Sequence, residues 1–184
     1  MEEVVADANL AKAMARVRQN RGSPGVDGMT VDELPRELAR IGESLRAKLL
    51  AGTYQPQPVR RVAIPKPDGG ERELGIPTVM DRLVQQAISQ VLGPRFDPDF
   101  SPHSHGFRPG RSAHDAVREA QQYIQDGYTW VVDVDLERFF DRVNHDVLMG
   151  RLATKIADRR MLRIVRAFLT AGMMSNGVVI DRDE

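Results

Sequence analysis

Two aspartates at the end of an apolar run are the residues best suited to chemistry. Asp133 and Asp135 stand two positions apart in the segment Trp130-Val-Val-Asp-Val-Asp-Leu. Side chains alternate faces along a strand, so both carboxylates can point the same way. Two like charges at the end of a buried strand need a cation to offset them. Because one or two carboxylates with substrate phosphates typically hold Mg²⁺, the pair predicts a magnesium site.

The Asp-x-Asp pattern alone does not decide the chemistry. It also follows hydrophobic strands in nucleotide-sugar transferases and in phosphate-handling enzymes, and one aspartate of such a pair often caps a helix or binds backbone N–H groups. Phe139 and Phe140 come shortly after the acids and supply two flat apolar faces. The choice between these interpretations therefore depends on the rest of the chain.

Hydrophobic periodicity predicts a helix-rich chain of mixed α/β (α+β) class around these residues. The predicted helices span residues 6–20, 30–52, 78–92, 112–125, 146–153 and 158–171. The predicted strands are a β-hairpin over 61–76 with a turn at 67–70, a strand over 130–134, and a strand over 174–180 with a turn at Asn176-Gly177. The strand 130–134 is expected to be buried, since it is β-branched and aromatic apart from Asp133. Gly93-Pro94 is expected to end the helix that begins near Thr78.

Composition excludes several classes of protein. The 184 residues contain no cysteine, which excludes disulfides and thiolate sites and fits a cytoplasmic protein. The sequence has no apolar run long enough to cross a bilayer and no secretory signal, so no membrane partner is expected. It also has no repeat and no clear linker, which favours one continuous α/β unit.

Positive charge is concentrated in three blocks, although the formal net charge is zero. Residues 10–26 hold four cations and no acid, residues 103–114 hold two arginines and three histidines without an acid, and residues 151–166 hold six cations against Asp158. Each block could be a solvated helix face. Because nucleic-acid binding follows the distribution of charge rather than its sum, three such blocks favour a polyanionic partner.

Four sequence blocks resemble the reverse transcriptase/maturase proteins of group II introns. Residues 20–30 (NRGSPGVDGMT) resemble their extra N-terminal block, residues 61–87 their first fingers block, and residues 105–112 (HGFRPGRS) their second. Residues 132–145 (VDVDLERFFDRVNH) are similar to the polymerase motif that holds the first catalytic aspartate. The blocks stand in the order of the family, and the resemblance covers nearly the whole chain.

The resemblance implies a right-hand polymerase with fingers and an incomplete palm. Residues 1–128 would form the N-terminal extension and fingers, and residues 129–184 the first part of the palm, truncated before the Tyr-x-Asp-Asp motif. The implied activity is RNA-directed DNA polymerisation by two Mg²⁺ ions, with a maturase role in intron splicing and mobility. The implied partners are intron RNA, an RNA template with a DNA primer, and dNTPs.

The resemblance also implies roles for individual residues. Asp135 would bind both Mg²⁺ ions, with the main-chain oxygen of Leu136 as a further ligand, and Asp133 is as readily a structural residue. Phe140 would pack under the incoming sugar. The remaining nucleotide-binding residues would be Lys66, Arg72, Arg138 and Phe139, and those near RNA or template would be Arg16, Arg18, Arg21, Arg108 and Arg111.

The chain departs from the family in two ways. Glu73 stands where the family usually has proline, and an acid beside Arg72 could weaken the effect of that cation on a triphosphate. The Gly-x-Pro-Gln-Gly block and the Tyr-x-Asp-Asp motif do not occur in these 184 residues, so the metal site is expected to be incomplete and the chain alone inactive.

Two alternatives to the intron-type polymerase stay open. One is a non-catalytic module that binds intron RNA, and the other is a retron-type or other bacterial reverse transcriptase. Whether the polymerase is of the intron type or of the retron type, an incomplete palm would expose apolar strand edges. Self-association, or a partner that covers these edges, is therefore expected.

Overall fold

The computed structural model describes residues 1–65, 67, 69–136, 139–175 and 178–180 and is rich in helix. Its helices are α1 (Glu2–Val5), α2 (Asp7–Gln19), α3 (Leu34–Ala51), α4 (Val79–Phe96), α5 (Ala113–Gln125), α6 (His145–Ala153) and α7 (Arg159–Leu169), with 3₁₀ turns at Asp97–Asp99 and Phe139–Asp141. Its strands are β1 (Val59–Pro65), β2 (Glu71–Ile76), β3 (Met173–Ser175) and β4 (Val178–Ile180). The α+β class expected from the sequence is confirmed, and no helix within the described ranges is long and apolar enough to span a membrane.

The described strands form one sheet in the order β2-β1-β3-β4. The pairs β1–β2 and β3–β4 are antiparallel, whereas β1 and β3 run parallel. The predicted hairpin is therefore present, and the C-terminal segment pairs with the base of its first strand. Asp68 of the predicted first turn and Asn176-Gly177 of the second lie outside the described residues.

Side-chain caps explain where several helices begin. Ser112 and Asp115 form a reciprocal capping box at the start of α5, and Asn144 and Asp158 cap α6 and α7 through their side-chain oxygens. The sequence-predicted end of α4 at Gly93-Pro94 is wrong, because the helix continues to Phe96. Pro94 stands two residues before that end, so its missing N–H removes only one helical hydrogen bond near the terminus.

The chain divides into two compact units, residues 1–91 with 143–184 and residues 92–142. The first unit contains the apolar core and the sheet. Its fully buried large side chains come from one face each of several helices: Val4, Leu34, Leu49, Val79, Leu83, Val84 and Ile164. The second unit contains α5, none of whose residues is buried, together with both candidate metal-binding aspartates.

The prediction of a buried strand over residues 130–134 is wrong. The segment has no strand pairing, and its apolar side chains face solvent, with Trp130 93% and Val132 86% exposed. A strand of this composition needs a neighbour for its backbone groups and a layer for its side chains. All four described strands belong to the sheet of the first unit, so the second unit supplies no strand to pair with it.

Candidate functional site

The candidate metal-binding aspartates lie on the exposed segment of the second unit. Both Asp133 and Asp135 are exposed. Asp135 Oδ1 accepts the backbone N–H of Leu136 at 2.9 Å, a bond between chain neighbours. The Asp135 carboxylate is therefore open to a cation from solvent.

The donors fit Mg²⁺ in kind but not in number. Mg²⁺ prefers oxygen ligands, which the carboxylate of Asp135 and the main-chain oxygen of Leu136 can supply. Within the described residues, however, no group of three or more acidic or histidine side chains could hold a metal ion. These residues can thus provide part of a magnesium site, and substrate phosphates or further carboxylates would have to complete it.

An aromatic pair follows the aspartates on the same unit. The rings of Phe139 and Phe140 meet edge to face, with centroids 5.3 Å apart and planes at 65°. Phe140 is 86% exposed, so one apolar ring face is available to a flat or ring-shaped ligand. Arg138, whose backbone is predicted to face a triphosphate, lies outside the described residues.

The hairpin of the first unit holds the predicted triphosphate cations. Arg72 is exposed on β2, opposite Ile64 of β1, while Lys66 lies outside the described residues. Glu73, the acid expected to weaken Arg72, forms an ion pair with Arg61 across the hairpin. Successive strand residues point to opposite faces, so Arg61 compensates the charge of Glu73 on the face opposite to Arg72.

Three arginines on or just after α2 lie on the surface of the first unit. Arg16, Arg18 and Arg21 are all exposed. Arg16 donates to Gln19 at 3.3 Å, and Arg18 lies 4.0 Å from Asp32, contacts too weak and too open to water to neutralise either cation. They can therefore meet a polyanion without breaking a buried interaction.

The glycine-rich loop after α2 is held by two arginines that the sequence analysis missed. Arg82 Nη2 donates to the carbonyl of Ser23 at 2.7 Å, and Arg60 Nε donates to that of Pro24 at 3.0 Å. Burial lowers the pKa of Arg82, with Asp27 opposing this shift. The signal in the sequence was the Gly22 and Gly25 spacing, which predicts close backbone approach.

A pocket of about 240 Å³, lined mainly by residues with polar side chains, adjoins this loop. It is lined by Val17, Asn20, Arg82, Gln85, Gln86 and Ser89. The Nε atom of Arg82 is buried without a hydrogen-bond partner. The pocket thus combines a cation with amide and hydroxyl groups beside a loop that resembles the family's N-terminal block.

In the second unit, the template candidate Arg108 is directed into the protein. Its guanidinium donates to the carboxylate of Asp97 at 2.8 and 3.3 Å and to the carbonyls of Asp97, Ser101 and Ser104. It also lies 5.5 Å from the ring centroid of Phe100. This geometry gives Arg108 a role in shaping the loop of residues 100–112, which joins the 3₁₀ turn at Asp97–Asp99 to α5. The second candidate, Arg111, is exposed and donates to the carbonyl of Pro102 at 2.8 Å.

A carboxylate fastens the same loop to α5. Glu119 accepts from Tyr123 at 2.6 Å and contacts His105 Nε2 at 2.6 Å, and it also contacts His103. The hydrogen bonds from Tyr123, His103 and His105 lower the pKa of Glu119 to about 2. The sequence analysis noted the histidines, but it missed their shared partner because 14 and 16 residues separate them from it.

Comparison with known proteins identifies the family. The sequence model of the reverse transcriptase (RNA-dependent DNA polymerase) family matches residues 64–181. The chain is 40% identical to Protein YkfC of Escherichia coli over 175 residues, 92% of this chain and 46% of that protein. It is 37% identical over 168 residues to the group II intron-encoded protein LtrA of Lactococcus lactis, 89% of this chain and 27% of LtrA. The chain thus spans less than half the length of either relative.

The fold has a counterpart among solved structures. A chain of the partial Cas6-RT-Cas1–Cas2 complex superposes with a TM-score of 0.60 at 23% identity, covering 97% of this chain and 29% of that one. At this level of identity the similarity concerns the fold alone. The family itself follows from the match over residues 64–181: the chain belongs to the reverse transcriptase family.

Proposed function

We propose that the chain is the fingers and first part of the palm of an RNA-directed DNA polymerase of group II intron type. Residues 1–128 would be the N-terminal extension and fingers, and residues 129–184 the start of the palm. The intron type is supported by the LtrA relationship and by the N-terminal block at residues 20–30.

One observation carries the catalytic part of the proposal. Within the family match, the exposed carboxylate of Asp135 is followed after three residues by the Phe139–Phe140 pair. A carboxylate is the donor that Mg²⁺ prefers, and an exposed ring can pack against a sugar. This order of groups suits the binding of a metal-bound nucleoside triphosphate.

The residues would divide the work of nucleotide addition. Asp135, with the main-chain oxygen of Leu136, would hold Mg²⁺, which activates the primer hydroxyl and stabilises the leaving pyrophosphate when two ions are bound. Phe140 would support the sugar. Arg72 and Lys66 would offset charge on the triphosphate, and the backbone N–H groups of Arg138 and Phe139 would face it.

RNA would be held mainly by electrostatic contacts. Arg16, Arg18 and Arg21 are exposed on or beside α2, and Arg111 is exposed on the loop of the second unit. Each phosphate contact contributes to a salt-dependent affinity. Arg108 would act on the template indirectly, because its donors hold the loop that carries Arg111.

A second candidate function is RNA binding without chemistry. It is favoured by the number of metal ligands, since no group of three acidic or histidine side chains able to hold a metal occurs in the described ranges. The two functions predict the same RNA affinity for this chain but different behaviour once the missing carboxylates are supplied.

The experiment measures RNA binding and primer extension by this chain side by side. We expect the 184-residue chain to bind a primed RNA template and Asp135→Asn to bind it equally well, because the binding cations lie elsewhere in the sequence. We also expect no primer extension by either protein. Extension by the unmodified chain above the Asp135→Asn background would contradict the incomplete site, and absence of RNA binding would contradict both functions.

A further inference from the structure

Phe107 projects from the loop of the second unit in an unusual way. Its side chain is fully solvent-exposed, at 111% of the reference value. Its backbone has φ +57°, the left-handed region that a bulky side chain rarely adopts. Both features disfavour phenylalanine at this position, since glycine would remove the steric strain and the apolar exposure together.

The surrounding loop fixes Phe107 in this conformation. The next residue, Arg108, binds the carbonyls of Asp97, Ser101 and Ser104 together with the Asp97 carboxylate. A strained backbone persists only where its surroundings determine it, and such positions cluster at functional sites. The backbone that carries the ring is therefore anchored through the contacts of its neighbour Arg108.

The exposed arginine on the same loop indicates which class of ligand the Phe107 ring would bind. Arg111 lies four residues on, with an exposed guanidinium anchored to the carbonyl of Pro102 at 2.8 Å. Elsewhere in the block, Arg108 is paired with Asp97, and His103 and His105 contact Glu119, so Arg111 is the exposed cation that carries the argument. An exposed aromatic ring and an exposed arginine on one loop suit single-stranded nucleic acid, because a base can stack on the ring while a phosphate meets the cation.

We propose that Phe107 stacks on an unpaired base of a single-stranded nucleic acid. The inference rests on the proposed function, which requires a single-stranded template, and it adds a residue that positions a base rather than a phosphate. Stacking is tolerant of sequence, because every base has a π-face. The loss of the ring would thus weaken binding for every template sequence by a similar factor.

Phe107→Gly is the most informative variant. It relieves the positive φ, so we expect a higher melting temperature together with about tenfold weaker binding of a single-stranded RNA decamer in fluorescence anisotropy. Phe107→Trp keeps an aromatic face and should retain the affinity. Trp130→Ala removes another exposed aromatic side chain of the same unit and should leave binding unchanged, as the control.

Abasic decamers test the stacking itself. Each decamer lacks the base at a different position. We expect one position at which removal of the base weakens binding to wild type, whereas binding to Phe107→Gly is the same with and without that base. Equal affinity of wild type and Phe107→Gly, or an equal loss in Trp130→Ala, would overturn the inference while leaving the proposed function intact. Failure of wild type to bind any decamer would overturn both.

Discussion

Arg108 and Asp97 hold each other across the base of the exposed loop in the second unit. Two nitrogens of the Arg108 guanidinium donate to the Asp97 carboxylate, at 2.8 and 3.3 Å. The pair raises the pKa of Arg108 and lowers that of Asp97, because each charge is hydrogen-bonded to its opposite. The loop that presents Phe107 and Arg111 therefore depends on a planar, charged fork.

We predict that Arg108→Lys loosens this loop. Lysine keeps the charge but cannot make parallel bonds to Asp97 and also reach the carbonyls of Ser101 and Ser104. Limited proteolysis should show faster cleavage between residues 100 and 112, while the helix content measured by circular dichroism stays close to wild type. Arg118→Lys changes an arginine paired with Asp115 on exposed α5 and should leave the cleavage rate unaltered.

The same pair should make the loop sensitive to acid. The folded pKa of Asp97 is lowered, so its stabilisation is present above the ordinary pKa of an aspartate and is lost as pH falls toward the lowered value. Cleavage of wild type by an acid-active protease should accelerate across that range, whereas Arg108→Lys should show a weaker dependence on pH.

Another prediction concerns the buried carboxylate of Asp81 in the first unit. Its side chain accepts hydrogen bonds from Tyr54 at 2.7 Å, Thr78 at 2.6 Å and the backbone of Gln57 at 3.2 Å, and the residue is 1% exposed. In Asp81→Asn the side chain has one acceptor oxygen in place of the two carboxylate oxygens that now accept from Tyr54, Thr78 and Gln57. At least one of these donors therefore loses its hydrogen-bond partner. We expect the free energy of unfolding to fall by about 2–4 kcal/mol in urea denaturation.

The control for this variant is Asp146→Asn. Asp146 is exposed and pairs with Arg166 at 2.6 Å, and a surface pair contributes about 0–1 kcal/mol.

Burial raises the folded pKa of Asp81 above its ordinary value, so the stabilisation from Asp81 is full at low pH and is lost as pH rises through the folded pKa. The difference in the free energy of unfolding between wild type and Asp81→Asn should therefore become smaller as pH rises. A difference that grows with pH would contradict a raised folded pKa for Asp81.

A further prediction distinguishes two glycines of the loop after α2. A Cβ on Gly25 would lie 2.6 Å from the Thr78 Cα and 2.7 Å from its nitrogen, where backbone cannot yield. A Cβ on Gly22 would meet the tip of the Arg82 side chain, which can shift at the cost of its hydrogen bond to the Ser23 carbonyl. Gly25→Ala should cost about 1–3 kcal/mol, and Gly22→Ala about 1 kcal/mol or less. Chemical denaturation measures both, and equal costs would contradict the packing of this loop on Thr78.

Local patterns predicted much of this fold from the sequence. The helix predicted over 112–125, the hairpin over 61–76 and the helix over 30–52 are set by neighbouring residues, so they can be recognised without the tertiary structure. The segment 130–134 has an equally strong strand pattern, yet a strand forms only where another strand accepts its backbone bonds. Its exposure in the second unit is a tertiary property that composition does not report.

The candidate site likewise contains residues that the sequence could indicate and residues that only the structure reveals. Asp135 and Phe140 could be selected from the sequence because the motif around them is contiguous. The interior role of Arg108 could not, since its partners are carbonyl groups of a loop whose path no local pattern specifies. Arg61 and Glu73 were likewise missed as a pair, because the hairpin register brings together residues 12 positions apart.

Primer extension by a completed palm tests the role of Asp135 most directly. The measurement joins this chain to a palm segment that carries Tyr-x-Asp-Asp and follows dNTP incorporation on a primed RNA template with Mg²⁺. We predict that Asp135→Asn lowers the rate at least about a thousandfold, because the proposed ligand of both metals would be lost, while Asp133→Asn stays within about tenfold of wild type. Extension by Asp135→Asn at a rate close to wild type would contradict the assignment of Asp135 as the metal ligand.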